Sequence, residues 1–370
     1  MKLMWMMIFF VLPIVGLAYA LWHIWQMLPF AACWRWTVVG VALLLFLSMF
    51  LVFTGTLERL PLTLATVLYE VGTSVVFVLL YLVMLFLLLD IGRLVHLVPR
   101  AWLYGNGTAA LGVLVVMLAV FSYGNAHYNN KAREAITVRT AKSVGQGKKG
   151  LRLVLLSDLH LGYHNRRAEF SRWVDMINAE SPDLVLIAGD IVDRSVRPLL
   201  EEGVAEEFHR LKAPVYACLG NHEYYSGSTA AQRFYAEAGI HLLRDSVARV
   251  DGLCIVGRDD RSNLRRRPLA AIMARAGIDA ERDFTLLLDH QPYHLEEAEA
   301  AGVDFQFSGH THHGQVWPAS WVTDVLYEDA FGPLQKGRTR YYVSSGMGIW
   351  GGKFRIGTRS EYVVLTIETD

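Results

Sequence analysis

Three histidines, His310, His312 and His313, fall within four residues of the stretch SGHTHHGQVWP, which runs from Ser308 to Pro318. Imidazole at that density serves a metal site or a polar surface turn. Four other short clusters share its chemistry: Asp158-Leu159-His160, Gly189-Asp190 with Asp193 three residues on, Gly220-Asn221-His222-Glu223, and Asp289-His290. Carboxylate, imidazole and carboxamide are ligands of hard and borderline divalent cations. In an extended segment, side chains i and i+2 share a face. That spacing lets Asp158 and His160 grip one ion, and His310 and His312 have the same spacing. Gly189, Gly220 and Gly309 let backbone pass close to a crowded site.

Each cluster closes a short apolar run: LRLVLLSD, DLVLIAGD, APVYACLGNH, FTLLLDH and DFQFSGH. Helical patterns such as AEFSRWVDMINAE and HLEEAEAAG lie between them. Strands alternating with helices predict an α/β domain with largely buried sheets. In such folds ligands collect at the carboxyl ends of the strands, where every cluster falls. The stretch 151–370 is long enough for one well-buried domain. No internal repeat or low-complexity tract interrupts it.

SDLHLG, GDIVDR, GNHE, DHQP and SGHTHHGQ resemble, in order and approximate spacing, the five signature blocks of the calcineurin-like metallophosphoesterase superfamily. LLLDHQP and GHTHHGQ on a membrane-attached chain resemble its bacterial YkuE/YaeI-like branch. The resemblance covers roughly 150–370 and implies a two-sheet αββα sandwich. It also implies two divalent metal ions side by side, manganese first, with iron or zinc as alternatives. By matching motif, Asp190 bridges the two. Asp158, His160 and His312 complete one ion, and Asn221, His290 and His310 complete the other. His222 matches the family's non-ligand histidine, which stabilises developing charge and protonates the leaving oxygen. His313 stands where relatives often have Gly.

Other residues near the motifs have weaker assignments. Asp193 is expected to cap the turn or helix that follows it. His164 and His294 are candidates for supporting the ligands. Arg194 and the stretch RDDRSNLRRRPL (258–269) are either an attraction for an anionic substrate or a solvated loop. Tyr224, Tyr225, Trp317, Trp350, Phe354 and Arg355 could form an apolar lip over the site, with His313 also a candidate for contacting substrate. Such a lip suits a lipid-borne phosphate. The competing reading is a plain loop packed on a sheet edge.

Of the 370 residues, 53% are hydrophobic, and the excess is concentrated in four charge-free runs bounded by Lys2, Arg35, Glu58, Glu70, Asp90, Arg100 and Lys131. About 20 mostly apolar residues cross a bilayer as a helix. The runs predict a transmembrane domain over 1–124, with four spans near 4–24, 36–55, 71–90 and 108–124. A cleaved leader is the rival reading of the first run, but three further spans follow it. Residues 125–150 read as a basic juxtamembrane linker with an early strand at AITVRT.

The formal net charge of zero hides an asymmetry. Residues 1–150 carry 11 Lys+Arg against 4 Asp+Glu, and residues 151–370 carry 24 against 31. Basic residues gather just after the last span. Cytoplasmic flanks collect Lys and Arg, so the chain is expected to be multi-pass in the inner (plasma) membrane with its catalytic domain in the cytoplasm. The acidic balance of that domain argues against nucleic acid as a partner. The near absence of ionisable residues at mid-depth argues against transport. Three cysteines without metal-like spacing argue against a disulfide framework.

The expected function is that of a membrane-integral dinuclear phosphoesterase using metal-activated hydroxide. Its substrate would be a phosphate ester or pyrophosphate of a membrane lipid or lipid-linked molecule. The alternative is a non-transporting signalling module whose phosphoesterase domain acts on a soluble phosphodiester or is regulatory.

Overall fold

The computed structural model describes residues 11–145, 148 and 150–369. The chain forms two compact units. One ends at Ala126 and takes in Gly351–Lys353; the other comprises His127–Trp350 and continues from Phe354.

The first unit holds helices α1 (Leu12–Met27), α2 (Ala32–Phe53), α3 (Leu62–Leu94) and α4 (Gly107–Asn129). They are apolar around their circumference. α2, α3 and α4 have 22, 33 and 23 residues and are long and apolar enough to cross a membrane. α3 and α4 run beyond the expected spans at both ends. Of the expected first span, residues 4–10 lie outside the described residues. Gly72 of α3 lies so close to α2 that a Cβ there would stand 2.9 Å from Ser48 O, a small-residue contact of the kind that joins membrane helices. The unit is less purely apolar than its sequence implies. Tyr19 Oη donates to Asp90 Oδ2 at 2.7 Å, and His23 Nε2 lies 3.0 Å from the same oxygen. This polar contact joins α1 to α3 near their carboxyl ends.

The second unit contains two six-stranded sheets. The first has the order β1 (Ala132–Thr140), β12 (Glu361–Thr369), β2 (Gly150–Leu156), β3 (Leu184–Ala188), β4 (Val215–Cys218) and β5 (His241–Leu242). The second has the order β10 (Gly332–Lys336), β11 (Thr339–Val343), β9 (Phe305–Ser308), β8 (Phe284–Leu288), β7 (Leu253–Gly257) and β6 (Ser246–Val250). β2, β3, β4 and β5 run parallel, as do β7, β8, β9 and β11.

Side-chain alternation divides each strand between two cores. Leu153 and Leu155 of β2 face the second sheet, packing with Leu186, Leu286, Leu288 and Phe307. Val154 and Leu156 face the opposite way, toward Phe170, Trp173 and Ile177 of helix α5 (Arg167–Ala179). A third core, with Val256, Leu287, Ile272 and Leu295, covers the outer face of the second sheet. The layers are therefore helix, sheet, sheet, helix. Strands buried on both faces read as unbroken apolar runs, which is why the five runs are so legible.

The stretch expected as a linker is mostly structured. α4 continues to Asn129, and β1 pairs in parallel with β12 from Ala132 to Thr140. The strand expected at AITVRT is the carboxyl-terminal part of β1, whose alternating polar residues fit an edge strand that buries one face. Two further helices frame the site: α6 (Asn221–Tyr225) and α7 (Ala319–Leu326).

Candidate metal centre

β2, β3, β4, β8 and β9 end side by side, and their next residues form one buried cluster. Asp158 and His160 follow β2, Asp190 follows β3, Asn221 follows β4, His290 follows β8, and His310 and His312 follow β9. Asp158 N donates to Gly189 O, and His160 N donates to Asp190 O. The Asp-x-His and His-x-His pairs are not extended as their spacing suggested. Asp158, His160, Asp190, His310 and His312 all have left-handed backbone, with φ between 44° and 72°. Asp and His tolerate this region better than most residues, at a cost of about 1–3 kcal/mol each. The strain gathers at the cluster. Glycine is required beside it: a Cβ at Gly220 would stand 2.1 Å from Asp190 Oδ1, and one at Gly309 would stand 2.2 Å from Asp158 Oδ2.

Among the described residues, carboxylate and imidazole ligand atoms gather in three groups, of which Asp158–His160–His312 and Asp190–His290–His310 hold the expected ligands and His160–Asp193–His222 shares His160 with the first. In the first, His160 Nε2 lies 3.0 Å from His312 Nε2 and 3.7 Å from Asp158 Oδ1. In the second, His290 Nε2 lies 3.1 Å from Asp190 Oδ2. Asn221 Oδ1 joins it, 3.1 Å from His290 Nε2 and 2.8 Å from His310 Nδ1. Asp190 Oδ2 also lies 3.7 Å from His160 Nε2, so one carboxylate oxygen faces both groups.

Hydrogen bonds on the far side of the rings fix which nitrogens point inward as lone pairs. His160 Nδ1 donates to Asp193 Oδ1 at 3.0 Å, and His290 Nδ1 donates to Ala188 O at 2.7 Å. In its neutral form each ring therefore turns a bare Nε2 inward. Burial pushes His310 down to about 4 and His312 down to about 3, keeping both neutral. Burial also opposes charge on His160, but the Asp158 and Asp193 carboxylates outweigh it and lift this imidazole to about 10. Burial likewise disfavours the charged Asp158 and Asp190, yet surrounding imidazoles hold both below the usual carboxylate range. Imidazole nitrogens, carboxylate oxygens and an amide oxygen converge without a Lys or Arg side chain between them. That donor set fits divalent cations.

Supporting residues include several without an expected role in the site. Asp193, expected as a cap, is fully buried and holds two histidines: His160, and His222, whose Nδ1 lies 3.2 Å from Asp193 Oδ1. Its place three residues after Asp190 was the available signal. Glu223 is also fully buried and accepts from the backbone N–H groups of Gly220, Asp190 and Val192. Arg355, expected at a substrate lip, is instead buried. It donates to the carbonyls of His312 at 2.6 Å and Gly348 at 3.3 Å, and to Ser345 O. It fixes the ligand loop from behind, because a fully buried guanidinium must spend its N–H groups on acceptors.

Other expected residues lie apart from the ligand groups. His313 turns away, 3.2 Å from Asp324 Oδ1 and stacked on Phe331. Tyr224 Oη donates to Asp259 Oδ1 at 2.7 Å, while the neighbouring Tyr225 ring stands 5.2 Å from the His222 ring. Trp317 packs edge-on against Trp321. His164 Nε2 donates to Ile349 O, and His294 pairs with Glu296. Arg258 and Arg266 both bind Asp289, next to His290. Asp289 therefore anchors the 258–269 loop.

Residues 151–314 match the family model described as Calcineurin-like phosphoesterase. An uncharacterized metallophosphoesterase of Campylobacter jejuni is 30% identical over 258 residues, which is 69% of this chain and 68% of that protein. A transmembrane protein with metallophosphoesterase domain from Danio rerio is 31% identical over 69% of this chain, and the match spans 61% of the fish protein. The uncharacterized metallophosphoesterase YkuE of Bacillus subtilis is 27% identical over 71% of this chain and 94% of its own length. Two ligand groups at the carboxyl ends of paired mixed sheets, and relatives that share most of this chain, lead to one conclusion: the chain belongs to the calcineurin-like metallophosphoesterases, a family of phosphoesterases with a dinuclear divalent metal site.

Proposed function

We propose that this protein hydrolyses a phosphate ester or pyrophosphate of a lipid-linked or amphipathic substrate at two adjacent divalent cations. The observation that carries the dinuclear reading is Asp190, whose Oδ2 faces His160 Nε2 at 3.7 Å and His290 Nε2 at 3.1 Å. A carboxylate so placed is shared by two sites rather than owned by one. When bound, such a pair of cations supplies Lewis-acid polarisation of the phosphoryl group and an activated water.

The chain's own residues do the rest. Asp158, His160 and His312 hold one side, and Asn221, His290 and His310 hold the other. Asp193 accepts a hydrogen bond from the Nδ1–H of His222, which leaves the Nε2–H of the imidazolium to hand its proton to the leaving oxygen. Three membrane-length helices support a substrate carried by the bilayer. The basic flank at 131–152 supports a multi-pass plasma-membrane protein with a cytoplasmic catalytic domain. Manganese is the first metal to try, with iron and zinc beside it.

The test uses the full chain in detergent, stripped by chelator and reloaded with each metal. Hydrolysis of p-nitrophenyl phosphate and bis-p-nitrophenyl phosphate is then compared with that of a phosphate-bearing lipid in mixed micelles. The expected result is metal-dependent turnover that favours the lipid. His222→Ala lowers kcat by roughly 10²–10⁴-fold with metal content unchanged. A chain that binds no metal, or one that turns over equally well without it, overturns the reading.

A further inference from the structure

Helix α7 is turned inside out. Its Ser320 is buried at 6% exposure, and Thr323 Oγ1 donates back to Ser320 O. Its apolar side chains face outward: Trp321 is 62% exposed, Val322 55%, Val325 85% and Leu326 45%. Trp317, just ahead of the helix, is 39% exposed and packs its ring 5.3 Å from that of Trp321. A helix on a water-facing surface does the reverse. Scattered exposed apolar residues are ordinary, but a contiguous patch marks an interaction surface.

The patch is tied to the metal centre at both ends. α7 begins seven residues after His312, on the same loop. Beyond its carboxyl end, Tyr327 returns to stand 6.2 Å from the His310 ring and accepts a 3.0 Å hydrogen bond from Tyr293 Oη. Whatever surface α7 rests on therefore lies beside the ligands of the second group. The covalent chain limits what that surface is. Two residues, Asn130 and Lys131, separate the end of membrane-length α4 from the first strand of the phosphoesterase domain. At about 3.5 Å of reach per residue, they tether this domain to the bilayer that holds α4.

We infer that α7 is an interfacial helix, which lays Trp321, Val322, Val325 and Leu326 into the lipid surface beside the metal centre. The inference deepens the lipid-substrate reading above and rests on it for its catalytic meaning. Tryptophan suits the headgroup level, and an apolar helix face of this kind buries about 5–10 Å into the headgroup boundary. The exposed charge on the helix is the acidic Asp324, with Glu328 just beyond it. The docking is therefore hydrophobic and does not require anionic lipid.

Full-length protein carrying Cys33→Ser and Val325→Cys is labelled with an environment-sensitive fluorophore and reconstituted in phosphatidylcholine vesicles. Cys218 and Cys254 are buried and stay unlabelled. A second sample carries the label at Leu264→Cys, a site 97% exposed in the 258–269 loop. The expected result is blue-shifted emission at position 325, quenched by nitroxide-bearing phosphatidylcholine, with neither effect at 264. Trp321→Ala in the 325-labelled protein is expected to reduce both. Emission at 325 as water-like as at 264 overturns the inference. So does a blue shift that grows with protein density but ignores the lipid quencher, which would assign the face to a second copy of the chain. Neither readout requires turnover, so absence of lipid hydrolysis alongside lipid quenching counts against the substrate reading and not against the docking.

Discussion

Asp193 holds His222 twice: His222 Nδ1 lies 3.0 Å from the Asp193 carbonyl oxygen and 3.2 Å from its carboxylate Oδ1. The same Oδ1 takes the Nδ1 of His160 at 3.0 Å. One acid thus orients both a metal-ligand candidate and the candidate proton donor. Asp193→Ala is expected to lower metal affinity and kcat, each by roughly 10–100-fold. Metal titration and steady-state kinetics check this. A role limited to capping would lower the melting temperature and leave both constants in place.

Glu223 makes a different kind of support. Its two oxygens accept three backbone N–H groups, from Gly220 at 2.7 Å, Asp190 at 3.1 Å and Val192 at 2.9 Å. Those donors belong to the loops that carry Asn221 and Asp190. Glu223→Gln keeps the shape but turns one acceptor into a donor facing an N–H group. The expected cost is about 1–3 kcal/mol, read as a lower midpoint in chemical or thermal unfolding. Metal affinity should fall with it, because the turn that places Asn221 loosens.

Much of this arrangement is visible in the chain, for a physical reason. Strands buried on both faces, such as LVLIA at 184–188, leave unbroken apolar runs, and the ligands follow them directly. The ligand clusters are short and chemically distinctive. Asp193 and Glu223 are harder to find because an acid beside a motif looks the same whether it caps a helix or holds a histidine. Only its burial separates the two. Arg355 poses the same difficulty: Gly-rich sequence around a cation suggests exposure, whereas here the carbonyls of His312, Ser345 and Gly348 surround it. His23 is equally hard to read from sequence, because a single histidine in an apolar run gives no sign that Asp90, 67 residues later, will meet it.

Metal removal is expected to destabilise the phosphoesterase domain as well as silence it. Asp158 and Asp190 are buried with left-handed backbone, and four imidazole side chains converge on them. A cation that binds only the folded state adds about 2.7 kcal/mol at 100 times its dissociation constant. At about 2–4 °C per kcal/mol for a domain of this size, chelation should lower the melting temperature by about 5–10 °C, and manganese should restore it. The shift should shrink in Asn221→Ala, which removes one ligand from the second group.

Asp329 offers a pH signature outside the ligand set. It follows α7 closely, is 8% exposed, and leaves Oδ2 buried without a hydrogen-bond partner. Burial pushes its carboxyl up to about 6 from an ordinary 3.8, helped by the neighbouring Glu328 and opposed by the Phe331 N–H. The folded chain thus holds this proton more tightly than the unfolded chain does. Stability from this group is fully present below about pH 4, falls as pH rises through about 6, and stays low above that. Asp329→Asn removes the penalty while keeping an oxygen to accept from Phe331. At 1.36 kcal/mol per pKa unit, the variant should be more stable than the parent by about 2–3 kcal/mol at pH 8, with the advantage narrowing as pH falls toward 4. Thermal melts of both chains at several pH values in that range measure it. A constant difference at every pH would mean that packing, not the buried charge, accounts for the change.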